Sequence, residues 1–326
     1  MLVLSQKEVQ SLLDIEELIR VLEQAHVQYS AGKTVMPVRL VVPLPQIKGR
    51  LTSMPAYLSE GHALGMKVVT YFENNPKQGL PAILATMALY SPETGKLVCL
   101  MDGSTITGVR TACASAVATK ALAKTDTPTL GILGAGVQAR THIRALRQVR
   151  SITRVKIFSP SGESAQRLIE ELAGETDLHL AAVRTAREAV QDVDLLVTAS
   201  TAKEPILDAA WLKPGVHINA VGSHRPDIRE IDAATIMGSK VVVDSREATK
   251  NECGDILLAI KEGTIIEDPI HAEIGEVLAG TRPGRESPSE ITLYKSVGIA
   301  IQDVATARLV YERAIEKKVG TQVEMD

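Results

Sequence analysis

The chain has 326 residues, 45% apolar and 23% charged, with a net charge of −3; that is room for two domains with ordinary cores, and no basic surplus for a nucleic-acid partner. No apolar run approaches the ~18 residues of a spanning helix, and the start MLVLSQKEVQ lacks a basic region and a cleavage site, so neither a membrane nor a secretory context is expected. Cys99, Cys113 and Cys253 have no C-x-x-C spacing and the seven histidines no ligand spacing, which reads as a reduced, cytoplasmic protein without a metal.

Ser5 to Leu13 and Asp14 to Ala31 are expected to be helical; in the second, Leu18, Val21, Leu22, Ala25 and Tyr29 recur at helical spacing. The period then changes to two. Val38 to Leu44, Leu51 to Leu58, Leu64 to Phe72, Ala82 to Tyr90 and Leu97 to Met101 read as strands separated by turn signals such as Asn74-Asn75-Pro76 and Ser91 to Gly95. The first hundred residues are therefore an α+β unit with a largely antiparallel sheet. Asp102 to Gly108 reads as a polar turn, and Arg110 to Lys124 as a helix rich in small residues, against which another backbone can pack closely.

Thr129 to Arg144, TLGILGAGVQARTHIR, organises the rest of the chain. A short apolar strand leads into Gly134, Gly136 and Ala139, a G-x-G-x-x-A turn, and then into an amphipathic helix. Gly134 permits the sharp turn, Gly136 lets a pyrophosphate approach the backbone, and Ala139 allows close packing of helix on strand. The unpaired N–H groups of that helix start make an anion site. Strands then alternate with helices: Arg154 to Phe158, a helix over Ser164 to Ala173, Leu178 to Val183, Leu195 to Thr198, Val216 to Val221 and Lys240 to Val243. This rhythm predicts a Rossmann doubly wound parallel sheet within an α/β chain. A last helix, Gly298 to Lys317, is expected to pack back on the N-terminal unit. The domains are thus read as 1–118 with 301–326, and 119–300.

Several residues could carry chemistry. Lys67 lies among apolar neighbours on both strand faces and must snorkel, pair with a carboxylate or face a cavity, although the pattern alone equally fits a solvent-facing lysine. Arg39 alternates with Val38 and Leu40 and suits a strand with one wet face. Arg110 in a first helical turn would oppose the helix dipole, which calls for a compensating anion: a bound carboxylate, or an internal one such as Asp102. The second nucleotide-domain strand ends in Ser159-Pro160-Ser161-Gly162, without the acid that would take the ribose 2′-OH of NAD. That favours NADP(H), with NAD(H) still open. Val137 and Gln138 in the turn, Thr198, Val221 and Gly222 near later strand ends, and Ser296 and Gly298 beyond them complete the expected cofactor-binding set.

These residues resemble the ornithine cyclodeaminase/mu-crystallin family over nearly the whole chain. The carriers are Pro37-Val-Arg39, Gly65-Met-Lys67, Gly79-Leu-Pro81, Thr107-Gly-Val-Arg-Thr-Ala112, the fingerprint Gly134 to Ala139, Val221-Gly-Ser-His-Arg-Pro226 and Lys295-Ser-Val-Gly-Ile-Ala300. The resemblance implies a homodimer whose N-terminal unit and final helix form the substrate-binding and dimerisation domain. It implies action on α-amino or α-imino acids with a nicotinamide cofactor, Arg39 and Arg110 clamping the substrate carboxylate and Lys67 handling the proton beside the reacting Cα–N bond. Thr111 and His224 join the expected substrate contacts.

One segment departs from the family's pattern. Its cyclodeaminases carry an aspartate in Gly-Gly-Asp-x-Pro-Gly, where this chain has His224, with Asp227 three residues on; mu-crystallin-like ketimine reductases and some amino-acid dehydrogenases also lack that aspartate. The resemblance therefore implies an NAD(P)H-dependent oxidoreductase that reduces small α-imino acids (ketimines) to L-amino acids, reversible as an amino-acid dehydrogenase such as alanine dehydrogenase. The alternatives are an ornithine cyclodeaminase forming proline and ammonia, and a non-catalytic NADPH-dependent small-molecule binding protein.

Overall fold

A computed structural model of the chain describes residues 1–175 and 177–324. The chain divides into two compact units, Met1–Arg110 with Ile299–Asp326, and Thr111–Gly298. Among the described residues no helix is long and apolar enough to cross a membrane.

The first unit opens with β1 (Leu2–Leu4), α1 (Gln6–Leu12) and α2 (Ile15–Ser30), continues through β2 (Thr34–Val35), β3 (Leu40–Leu44), β4 (Gly49–Leu58), β5 (Ala63–Phe72), β6 (Ile83–Tyr90) and β7 (Leu97–Asp102), and enters α3 (Gly103–Leu122). Both first helices start on side-chain caps: Ser5 and Glu8 form a reciprocal capping box and Asp14 accepts from the Glu17 N–H, which satisfies donors that would otherwise be orphaned. Strands β3 to β7 pair antiparallel, as their alternating pattern requires. β1 adds parallel to β7.

In β5 the alternation runs opposite to a polarity reading. Ala63, Gly65 and Lys67 point into the core, while Leu64, Met66 and Val68 are only half-buried. The inward face, with Met54, Ala56 and Leu58 of β4 and Met87 and Leu89 of β6, is covered by the last helix of the chain.

α3 begins at Gly103, so the expected polar turn over Asp102 to Gly108 is a helix start. The Asp102 carboxylate accepts from the backbone N–H of Ser104 (3.3 Å) and Thr105 (2.8 Å). Asp-Gly-Ser-Thr is turn chemistry and N-cap chemistry alike, which is why composition misplaces the boundary. Arg110 consequently lies well inside the helix, not in its first turn, and the helix dipole is not what it needs balanced. The boundary between the units falls at Arg110/Thr111, within α3 and upstream of the expected 118/119.

The second unit continues with β8 (Thr129–Leu133), α4 (Val137–Leu146), β9 (Arg154–Phe158), α5 (Glu163–Leu172), β10 (His179–Ala182), α6 (Ala186–Val190), β11 (Leu195–Thr198), β12 (His217–Ala220), α7 (Ala233–Met237), β13 (Lys240–Val243), α8 (Arg246–Glu252), α9 (Gly254–Lys261), β14 (Ile270–Glu273), α10 (Ile274–Leu278) and β15 (Thr292–Lys295). The sheet is parallel in every pairing, in the order β10-β9-β8-β11-β12-β15-β13-β14. Strand order reverses at β8/β11, the switch point of a Rossmann fold and the place where dinucleotides bind. Arg150 closes the end of α3 by donating to the Thr119 (2.8 Å), Ala123 (3.2 Å) and Lys124 (2.9 Å) carbonyls, which sets a cation at the negative end of the helix.

β15 escapes a hydrophobic-pattern search because Thr292 and Lys295 are both wholly buried polar residues. The chain returns to the first unit with α11 (Ala300–Lys317) and β16 (Thr321–Gln322), the latter antiparallel to β1. α11 packs on α2, β4, β5 and β6, with Val304, Ala307 and Val310 fully buried; a buried valine of this kind contributes roughly 1.5–3 kcal/mol.

Candidate functional site

Inside the first unit, three chain-distant residues meet in a dry cluster. Lys67, in the middle of β5 and flanked in register by Met54 and Met87, is 2% exposed. Its Nζ lies 2.7 Å from Asp303 Oδ2, and Arg110 Nε donates to the other oxygen of the same carboxylate at 2.8 Å. Arg110 Nη1 donates to Gln302 Oε1 (2.7 Å), whose amide in turn donates to His26 Nε2 (3.2 Å). Two cations thus share one wholly buried anion, an excess of positive charge in a low-dielectric place.

The energetics reflect that excess. Burial pushes the Lys67 ammonium down to about 7, with Asp303 opposing the fall and Arg110 and then Arg39 adding to it. Burial works to raise Asp303, but Arg110 and Lys67 outweigh it and hold the carboxylate below its usual range. His26 falls to about 3 through burial and the Arg110 charge, so it is the neutral acceptor that its Gln302 contact requires.

Lys67 is therefore not a solvent-facing strand lysine, and Asp303 rather than Asp102 answers Arg110. Asp303 and Gln302 are the site residues that sequence reasoning misses. Their signal is present all the same: adjacent polar residues between Ile301 and Val304 on a helix that is otherwise apolar at those positions. Arg39 sits in the loop just before β3, half-buried, not within a strand, and its charge is felt at Lys67.

The second unit carries the fingerprint turn at the end of β8. Gly134 has φ +125°, and a Cβ there would meet the Ala199 carbonyl at 2.4 Å, so only glycine fits. Gly136 caps α4 with an ordinary φ of −92° and no side-chain hydrogen bond to the helix start. A Cβ on Gly136 would meet nothing within 4 Å. The helix start is thus uncapped, open in front and close to backbone, which suits a pyrophosphate. Beside it Val137 is exposed, Ala139 is buried, and Gln138 holds a buried Oε1 that has no described partner.

The remaining expected cofactor positions lie at or just past the C-terminal ends of neighbouring strands. Ser159 follows β9; it is buried and its Oγ accepts from the Ala165 N–H at 3.2 Å, while Ser161 is exposed. Thr198 ends β11, with its hydroxyl donating to Glu230 (3.1 Å) rather than pointing outward. Val221 and Gly222 follow β12, and Ser296 and Gly298 follow β15, both bonded to the buried Asp244 at 2.7 Å. Thr111 is buried in α3. His224 is half-buried with Nδ1 3.1 Å from the Gly222 carbonyl, whereas Asp227 is exposed and ion-paired with Arg225. A cavity of about 540 Å³ opens at the other end of the sheet, beside the N-terminal ends of β13, β14 and β15; its Lys240 is already paired with Glu286 and Glu290, so it offers no uncompensated cation to an acid.

Residues 1–318 match the model of the ornithine cyclodeaminase/mu-crystallin family. The chain is 39% identical to the alanine dehydrogenase of Archaeoglobus fulgidus over 99% of this chain and 98% of that protein. Among solved structures it is similar to the Thermococcus litoralis Δ1-pyrroline-2-carboxylate reductase in complex with NADH and L-proline, at 43% identity, a TM-score of 0.96 and coverage of 99% and 100%. It is also similar to an archaeal alanine dehydrogenase dimer with bound NAD, at 38% identity, a TM-score of 0.94 and coverage of 100% and 99%.

Proposed function

The chain belongs to the ornithine cyclodeaminase/mu-crystallin family, and from that premise we propose that it is an NAD(P)-dependent oxidoreductase reducing small α-imino acids to L-amino acids, and running the reverse oxidation. The observation that carries this reading is the buried lysine held between Asp303 and the arginines. When bound, the nicotinamide supplies the hydride that Cα receives.

The protein's own groups do the rest. Arg110, its Nε and Nη1 held by Asp303 and Gln302, has Nη2 left to meet a substrate carboxylate, with Arg39 as the second arm; together they orient the C=N bond. Lys67 then stands as the proton donor to the imine nitrogen. A protonated imine is a far better acceptor than a neutral one, and an ammonium with its pKa near 7 gives up its proton readily at neutral pH. Burial keeps water from competing for that proton.

Against ornithine cyclodeamination stands the loop after Gly222. The step that closes the ring needs a carboxylate for the second amine, and His224 supplies none, while Asp227 is exposed and engaged by Arg225. A compact imino acid has no second amine and needs no such group.

We assign the dinucleotide to Gly134, Gly136, Val137, Gln138 and Ala139, and infer a preference for NADPH because Ser159 and Ser161 stand where an acid would repel a 2′-phosphate. Cofactor titration tests both points. Gly136→Val, whose Cβ would meet no protein atom within 4 Å and whose branches would take up ligand space, should weaken NADPH binding at least ~10-fold at an unchanged melting temperature. Ser159→Asp should move the preference to NADH. A parent with equal affinities, or a Gly136→Val variant that binds normally, contradicts the assignment.

The same reading includes a homodimer. Leu40 is 65% and Val42 43% exposed on β3, and Leu51 of β4 is 37% and Leu84 of β6 42% exposed; the strand register puts all four on one face of the sheet, an exposed apolar stripe of the kind that marks an interface. Leu40→Glu with Leu84→Glu should sediment as a monomer where the parent sediments as a dimer; a parent that is already monomeric refutes this.

A further inference from the structure

The loop from Gly222 to Ile231, which carries His224, is pinned at both ends by a buried set of three charges: Glu230, Asp255 and Lys295, at most 1% exposed. Lys295 Nζ lies 2.8 Å from Asp255 Oδ2 and donates to the Ser223 carbonyl at 2.8 Å. Asp255 Oδ1 accepts from the backbone N–H of Glu230 (2.7 Å) and Ile231 (3.1 Å). The Glu230 carboxylate reaches across two strand ends: one oxygen accepts from Ser200 N–H (2.6 Å), past β11, and the other from Gly222 N–H (2.7 Å), past β12, and from the Thr198 hydroxyl (3.1 Å). Gly222 has to be glycine for this, because a Cβ would lie 2.2 Å from the carboxylate.

A charge so costly to bury is not needed to hold a β-sheet together; a well-packed apolar side chain would serve as well or better. What the carboxylate does is fix the spacing and orientation of two particular loops. The fingerprint turn and the ribose position belong to the β8-β9-β10 half of the sheet, so β11 and β12 belong to the half that receives the second mononucleotide.

We propose that Glu230 is the positioning residue of the nicotinamide half of the dinucleotide site, tying the Thr198–Ser200 and Val221–Gly222 loops into one rigid wall. This rests on the dinucleotide assignment made above. Fixed polar loops that need no rearrangement on binding are what makes such a site effective.

The test is Glu230→Gln, with NADPH affinity read by fluorescence titration of the full-length protein. Glutamine keeps the shape, replaces one of the two accepting oxygens, and turns an amide N–H2 towards a backbone N–H donor. NADPH affinity should fall about tenfold, comparable to one lost charge-assisted hydrogen bond, and kcat should fall with it. KM for the imino acid should stay unchanged, a split that general destabilisation would not produce. Thr198→Val, which removes only the hydroxyl, should shift NADPH affinity in the same direction by a smaller factor, and it carries the test should Glu230→Gln not fold. Unchanged NADPH affinity in the variant that folds, or a KM for the imino acid rising in parallel, overturns the proposal. The affinity arm needs no turnover, so a parent that binds NADPH but reduces no imino acid would sink the reductase reading and leave this one standing or falling on its own titration.

Discussion

Replacing Lys67 by methionine is expected to lower imine reduction by roughly 10²- to 10⁴-fold, the usual worth of a positioned proton donor, while NADPH affinity stays unchanged. Methionine fits beside Met54 and Met87, and Asp303 keeps Arg110 as its partner, so the variant should fold. The parent's pH profile gives the sign. The Lys67 pKa is depressed to about 7; the donor is charged below that pH and neutral above it. Reduction should therefore decline as pH rises through about 7, and oxidation of the amino acid, which needs the neutral amine as acceptor, should rise over the same range. Loss of activity without loss of that pH dependence would assign the titration to another group.

The second large effect is expected at Arg110. Arg110→Lys keeps a cation next to Asp303 but not the planar fork that holds Asp303, Gln302 and a substrate carboxylate together. Catalytic efficiency should fall on the order of 10²-fold, as for a misplaced orienting group, with NADPH affinity nearly intact. Arg39→Ala should act in the same direction. If NADPH affinity falls as far as activity does, these arginines are cofactor or structural groups.

The features legible in the sequence are local ones. A short apolar strand, G-x-G-x-x-A and an amphipathic helix are contiguous, and each small residue there answers a steric demand that the structure displays, such as the 2.4 Å clearance at Gly134. The pairing of Lys67 with Asp303 is not local. Nothing in Leu64 to Val69 states which distant carboxylate will cover it, and a buried lysine and a solvated one leave the same alternation. Arg110 shows the converse error: a boundary placed a few residues late puts it at a helix start and invents a dipole conflict, because Asp102 caps a helix with the residues that also make turns. Lys295, Asp255 and Glu230 stay hidden for the same reason as Lys67, since charges that pair in the core look like surface charges in a string of letters.

The most direct test of the central claim follows NAD(P)H absorbance and amino-acid products with purified protein on two substrates, pyrroline-2-carboxylate and L-ornithine. Reduction predicts that each imino acid reduced consumes one NAD(P)H, and that ornithine with catalytic NAD⁺ yields neither proline nor ammonia. Proline and ammonia formed from ornithine at a rate comparable to imine reduction would contradict the account and return the loop at His224 to the chemistry of a cyclodeaminase.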